Sequence, residues 1–236
     1  YFFERFLYRL SLSEYKENFV MKGGFLLENM VGMKARTTMD IDLKTVGITL
    51  LDKEIVDIFK QIAEINDNDG ITYSVLGISD IVAELKYGGK SVKIEARLKN
   101  LKKVFSIDIA QGDVVTPYPV QYKYKSPIDD SEFEILAYTT ETIIAEKFET
   151  LIAKGMSNSR AKDLFDIHIL WKQGINRDRL NAALINTFYV RRTKFNVDKI
   201  RGTLSDIHSS EYRREVFDRY AEKHRFANGI RFDEVM

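Results

Sequence analysis

The chain has 236 residues, a hydrophobic share of 44%, a charged share of 30% and a formal net charge of +1. That suits a globular protein of one large domain, or one medium domain with a smaller companion, and it argues against a molecule-wide affinity for polyanions. Cysteine is absent, so disulfides and thiolate metal sites are excluded, and no apolar run approaches the roughly 18 residues of a membrane span, which leads us to expect a cytoplasmic protein without a membrane partner.

In chain order, Phe2 to Leu12 reads as an amphipathic helix with Phe3, Phe6, Leu7 and Leu10 on one side. The stretch begins at Tyr1 rather than at Met, as a trimmed N-terminus would, and Glu4, Arg5 and Arg9 set it apart from a signal peptide. "NFVMKGG" is a short strand ending in a Gly23-Gly24 turn, and "FLLENMVG" a short helix closed by Gly32. "MDIDLKTV" alternates as a strand. "LDKEIVDIFKQIAEIN" is a helix with Asp52 as its cap, and "ITYSVLGI" is a strand. A hairpin follows: "SVKIEARLK" puts Val92, Ile94, Ala96 and Leu98 on one face and Lys93, Glu95, Arg97 and Lys99 on the other, "NLKK" turns, and "VFSIDIAQGD" returns. After a last strand, "EFEILAY", the pattern is helical, with Thr140 and Gly155 as caps of the first helix. The expected architecture is α+β: a mixed-sheet domain over residues 1–138, followed by a helical domain over 139–236 that completes the cleft.

Side chains alternate along a strand, so Asp40 and Asp42 share a face, with Ile41 and Leu43 on the other. Two adjacent, partly buried carboxylates are costly unless a cation lies between them. A hard divalent ion such as Mg²⁺ takes such oxygen ligands together with substrate phosphates. Alone, the pair reads equally well as an exposed edge strand. "VFSIDIA" adds weight: Phe105, Ile107 and Ile109 share one face and Asp108 lies on the other. If the strands are neighbours, Asp40, Asp42 and Asp108 form a triad that could hold two Mg²⁺ ions for phosphoryl or nucleotidyl transfer. The Gly23-Gly24 turn at a helix start offers backbone N–H groups to phosphate, and Lys22 adds charge beside it. From Lys86 to Lys103 seven basic residues face one acid, Glu95, and "RRTKFNVDKIR" is a second basic cluster. Both suit solvated faces, and both suit an RNA backbone.

The order Gly-Gly, Arg-x-Thr-x-Asp-x-Asp, then a lone Asp on a later strand resembles the nucleotidyltransferase superfamily related to DNA polymerase beta. More narrowly, "ERFLYRLSLSEYKENFVMKGGFLL", "RTTMDIDL", "IDIAQGDVVTP" and "TTETIIAEKFETLIAKGMSNSRAKDLFDIHIL" resemble the AbiEii/AbiGii family of abortive-infection toxins over Glu4 to Trp171. The resemblance implies a polymerase beta-like fold and an NTP-dependent nucleotidyltransferase toxin that releases pyrophosphate, with tRNA as the expected acceptor. Its partner would be a separately encoded antitoxin with a winged-helix domain. By position, Gly23, Gly24 and Arg36 fall to the nucleotide, with Lys22 joining them on its charge beside the turn, and Asp40 and Asp42 fall to the metal. Lys147 and Asp163 match later motifs that bind and orient the nucleotide; read from the helices alone, both are structural. Asp166 stays open, as an orienter of Arg160 or Lys162, and His168 reads as packing. The wider superfamily has Gly-Ser where this chain has Gly23-Gly24, so one hydroxyl contact to phosphate is missing. Two alternatives remain: a protein or small-molecule acceptor such as an antibiotic, or a nucleotide-binding interaction module without turnover.

Overall fold

The computed structural model describes all residues except 33–39, 49, 82–88, 112–114, 117, 130 and 158. The chain divides into two compact units, Tyr1–Asp113 with Pro119–Tyr138, and Val114–Tyr118 with Thr139–Met236. The first is a mixed α+β unit and the second is helical.

The first unit holds helices α1 (Phe2–Leu12), α2 (Gly23–Val31) and α3 (Asp52–Glu64). Its strands are β1 (Phe19–Lys22), β2 (Asp40–Thr45), β3 (Ile71–Asp80), β4 (Gly89–Leu98), β5 (Leu101–Ala110), β6 (Val120–Lys125) and β7 (Glu132–Ala137). They form one seven-stranded sheet in the order β3-β4-β5-β2-β1-β7-β6. The sheet is mixed: β2 runs parallel to β5 and β1 parallel to β7, and the other pairs are antiparallel.

Alternation decides which face is covered. Phe19 and Met21 of β1, Ile41 and Leu43 of β2, Val92 and Ile94 of β4, and Phe105, Ile107 and Ile109 of β5 are all buried. Helices α1 and α3 supply the apolar cover: Phe6 stacks on Phe59 at 5.8 Å and meets Tyr73 and Phe105 edge-on, and Phe59 meets Phe19 at 5.6 Å. Each such buried aromatic contributes roughly 1.5–3 kcal/mol by removal from water. Helix α1 is also tied by charge. Arg9 donates to both Asp69 oxygens at 3.0 and 2.8 Å and to the Ile65 carbonyl at 2.7 Å, and Arg5 pairs with Asp67 and Asp69. Burial alone would raise the Asp69 carboxyl; hydrogen bonds from Arg9 and the Ile71 amide outweigh it and hold the group at about 2.

The helical unit contains α4 (Thr140–Lys154), α5 (Ala161–Lys172), α6 (Arg177–Val190), α7 (Val197–Ser209), α8 (Glu211–Lys223) and the short α9 (Phe232–Val235). Helix α4 packs on α5 and α6, and α5 packs on α8 and α9. Ile152, Phe188 and Ile200 join α4, α6 and α7 in one apolar cluster.

Helix α2 is bounded at Gly23, whose φ of +71° makes the glycine turn expected between β1 and the helix. Four local expectations need correction. Leu51 is the N-cap of α3 in place of Asp52; its amide donates to Glu54 at 2.7 Å, and Asp52 instead pairs with Lys90 at 2.7 Å. The β4–β5 turn is Lys99-Asn100, with Lys99 at φ +52°, so Leu98 pairs directly with Leu101 and Lys99 leaves the strand. Thr139, one residue before the expected Thr140, caps α4 by accepting from the Thr142 amide at 3.2 Å. Strand β6 was not expected, although Val120, Tyr122 and Tyr124 alternate with Gln121, Lys123 and Lys125.

Candidate active site

The register brings two of the expected acids side by side. Asp42 of β2 is the direct partner of Asp108 on the parallel strand β5, and Asp40 is the partner of Ser106 one step along. On the outer side of Asp42 lies Lys22 of β1, and on the outer side of Asp108 lies Ser91 of β4. Four strands thus carry the row Lys22, Asp42, Asp108, Ser91 on the face opposite the aromatic core, at the usual strand spacing of about 4.8 Å.

The row is electrostatically strained. Burial raises the Asp42 carboxyl first; Lys22 pulls it down, Asp108 and Asp40 push it up, and a hydrogen bond from the Gly24 amide pulls it down. The balance lies above the ordinary carboxylate value. Asp108 Oδ1 accepts a hydrogen bond from Ser91 Oγ at 2.6 Å. Among the described residues, no three carboxylates or histidines converge on one ion position. The donor set nevertheless fits a hard cation: oxygen ligands only, a register-paired carboxylate couple, and a half-buried acid whose ionised form needs compensating charge.

Gly23 explains how Asp42 is accommodated. A Cβ on Gly23 would lie 1.9 Å from Asp42 Oδ2 and 2.5 Å from its Cγ, and φ at Gly23 is +71°. Close approach of the Asp42 carboxylate therefore demands glycine there, independently of any phosphate. The Gly24 amide, expected to face phosphate, donates to Asp42 in this structure. Lys22 also lies over the Tyr138 ring at 5.0 Å.

The later candidates belong to the helical unit. Lys147 of α4 reaches Asp163 Oδ1 at 2.9 Å and Asp166 Oδ2 at 2.7 Å, and both aspartates of α5 are buried. Burial opposes the Lys147 charge, yet Asp166 and Asp163 outweigh it and leave the ammonium above its ordinary value. Arg160 pairs with Asp163 at 2.9 Å. Asp166, left open by the sequence, is thus a direct partner of Lys147. The three-residue spacing of Asp163 and Asp166 on one helix was the available signal. Nothing in the sequence singled out Ser91. Arg36 lies outside the described residues.

Of the expected basic face, Lys93 is exposed on β4 opposite Ser106, on the same face as the aspartates. Arg97 and Lys102 both pair with the buried Glu95 at 2.5 Å.

A mixed sheet with acids paired across its parallel centre, followed by helices, defines an α+β protein of the kind expected. A family model described as "Nucleotidyl transferase AbiEii toxin, Type IV TA system" matches residues 5–236. The chain belongs to this AbiEii family, and it is a nucleotidyltransferase of the toxin–antitoxin class. The family implies an NTP substrate and an antitoxin partner, and nucleotidyltransferases generally use a divalent metal. A search of the curated proteins found no match. Among solved structures the chain is similar to JHP933 from Helicobacter pylori, at 14% identity and a TM-score of 0.48, over 93% of this chain and 92% of that one. It is also similar to an antigenic nucleotidyltransferase-like protein from Paracoccidioides brasiliensis, at 15% identity and a TM-score of 0.45, over 83% and 89% of the two chains. Among the described residues no helix is long and apolar enough to cross a membrane.

Proposed function

We propose that the chain is a Mg²⁺-dependent toxin that transfers NMP from an NTP to an acceptor hydroxyl, with tRNA as the acceptor, in a phage abortive-infection system in the cytoplasm. The acceptor oxygen bonds to the α-phosphorus as the bond to the bridging oxygen breaks and pyrophosphate leaves. One observation carries the reading: Asp42 and Asp108 are register partners on parallel strands, with Asp40 two residues from Asp42 on the same face.

Asp42 and Asp108 would hold the metal as a carboxylate pair, with the triphosphate completing its ligands and Asp40, exposed on the same face, adding negative charge beside them. Mg²⁺ bound there would polarise the phosphoryl oxygens and stabilise charge on the attacking and leaving oxygens. The chain's own groups do the positioning. Lys22 offsets charge beside Asp42. The start of α2, with Gly23 and Gly24, would offer the positive end of a helix and its remaining free amides to the triphosphate. We assign Lys147 and Asp163 to nucleotide binding on the family motifs they match; the family match spans both units. Arg36 is assigned on the same ground. The exposed Lys93, on the aspartate-bearing face, favours a polyanionic acceptor. The antitoxin would be a separately encoded protein.

The test is to incubate the protein with Mg²⁺ and each labelled NTP in turn, with total tRNA or total protein, beside Asp42→Ala. Label in tRNA that needs Asp42 is expected. Label confined to protein would move the acceptor, and no transfer to any acceptor would refute the assignment.

A further inference from the structure

Ser91 is a polar neighbour of the carboxylate row that neither the family motifs nor the proposed reaction uses. It is half-buried on β4, its backbone is register-paired with Asp108, and its hydroxyl donates to Asp108 Oδ1 at 2.6 Å. That distance is in the range of charge-assisted O–H···O⁻ bonds, stronger than a neutral cross-strand contact.

The bond has a geometric consequence. Asp108 stands between two neighbours at strand spacing: Asp42, which repels it, and Ser91, which attracts it. An ionised carboxylate has about four acceptor positions on two oxygens. Ser91 takes one acceptor position on Oδ1 and holds the rotation of the carboxylate plane. The oxygen with both positions open, among the described residues, is Oδ2.

We propose that Ser91 is a positioning residue that makes Asp108 a monodentate metal ligand through Oδ2; this rests on the metal-binding reading of the aspartate row. Partners that orient a ligating carboxylate typically change metal affinity or activity by about 10–100-fold when removed. A purely structural Ser–Asp contact would instead affect stability alone, as cross-strand pairs do.

The experiment measures Mn²⁺ affinity of the metal-free protein without NTP, by counting free Mn²⁺ in electron paramagnetic resonance, with Tm recorded for each variant. The variants are Ser91→Ala, Ser91→Thr and Asp108→Ala. We expect Ser91→Ala to weaken Mn²⁺ binding by about 10-fold or more, with a folded-state melt retained. Ser91→Thr, which keeps the hydroxyl, should return affinity to within about three-fold of the parent, since its donor is preserved. Parental affinity in Ser91→Ala, or a Thr variant as weak as the Ala variant, would overturn the role of Ser91. Failure of the underlying reading looks different: Asp108→Ala would then bind Mn²⁺ like the parent.

Discussion

Asp42→Asn separates charge from shape at the centre of the row. The carboxyl lies above its ordinary value, chiefly from burial and also from Asp108 and Asp40, against Lys22 and the Gly24 amide. At a strand spacing near 4.8 Å and an effective dielectric of about 20, one like-charge pair costs roughly 3 kcal/mol, and Lys22 returns a term of similar size. Burial and Asp40 then decide the balance, and they disfavour the ionised form. The sign follows. A carboxyl raised on folding weakens the fold as pH climbs above the unfolded value of about 3.9, and that loss is complete once pH exceeds the folded value. In EDTA near neutral pH, the amide should therefore stabilise the unit by on the order of 1 kcal/mol, or a Tm rise of about 2–4 °C. Mg²⁺ should reverse the ranking. Cation binding to the folded parent adds about 2.7 kcal/mol at a hundred-fold excess over Kd, whereas the variant should gain little and should lose transfer activity. The assay is a pair of thermal melts, in EDTA and in Mg²⁺, with label transfer alongside. A variant that melts below the parent in EDTA, or shifts with Mg²⁺ as much as the parent does, would refute the reasoning.

Other perturbations test separate parts of the account. Gly23→Ala puts a methyl 1.9 Å from Asp42 Oδ2 at φ +71°; a loss of about 1–3 kcal/mol is expected by chemical denaturation, with Mn²⁺ affinity falling because Asp42 must move. Lys147→Met leaves two buried carboxylates without their ammonium and should cost about 3–5 kcal/mol; Lys147→Met with Asp163→Asn and Asp166→Asn should recover most of it, and a triple variant as unstable as the single would contradict the buried triad. Arg213 is 2% exposed and its guanidinium nitrogens find no acceptor among the described residues; Arg213→Met is expected to raise stability by about 1 kcal/mol or more, and a fall of that size would show that the charge is compensated. Asp69, held at about 2, stabilises the fold above pH 4 and loses that contribution as pH falls toward 2; Asp69→Asn should flatten acid denaturation in that window.

The legibility of the site from sequence followed side-chain alternation. Period-two patterns in "MDIDLKTV" and "VFSIDIA" put the acids opposite the apolar residues, and the buried Ile41, Leu43, Ile107 and Ile109 show that face assignment at work. Alternation does not say which strands are neighbours. The pairing of β2 with β5 is a long-range, parallel contact that no local pattern encodes, and with it comes the Asp42–Asp108 register. Ser91 was invisible for the same reason, since it matters only through a partner 17 residues away. Gly23-Gly24 was read through phosphate, but Gly23 leaves room for Asp42, a constraint that exists only once α2 and β2 are packed. Cap positions slipped by a residue because adjacent residues such as Thr139 and Thr140 offer the same chemistry, and only the backbone path chooses between them.

The most direct test of the central claim is a crystal structure of the protein with Mn²⁺ and a non-hydrolysable NTP, read by anomalous scattering. The account predicts a manganese peak at coordination distance, about 2.0–2.2 Å, from carboxylate oxygens of both Asp42 and Asp108, with the triphosphate on the same ion. Manganese and nucleotide bound elsewhere, with Asp42 and Asp108 touching neither, would contradict it.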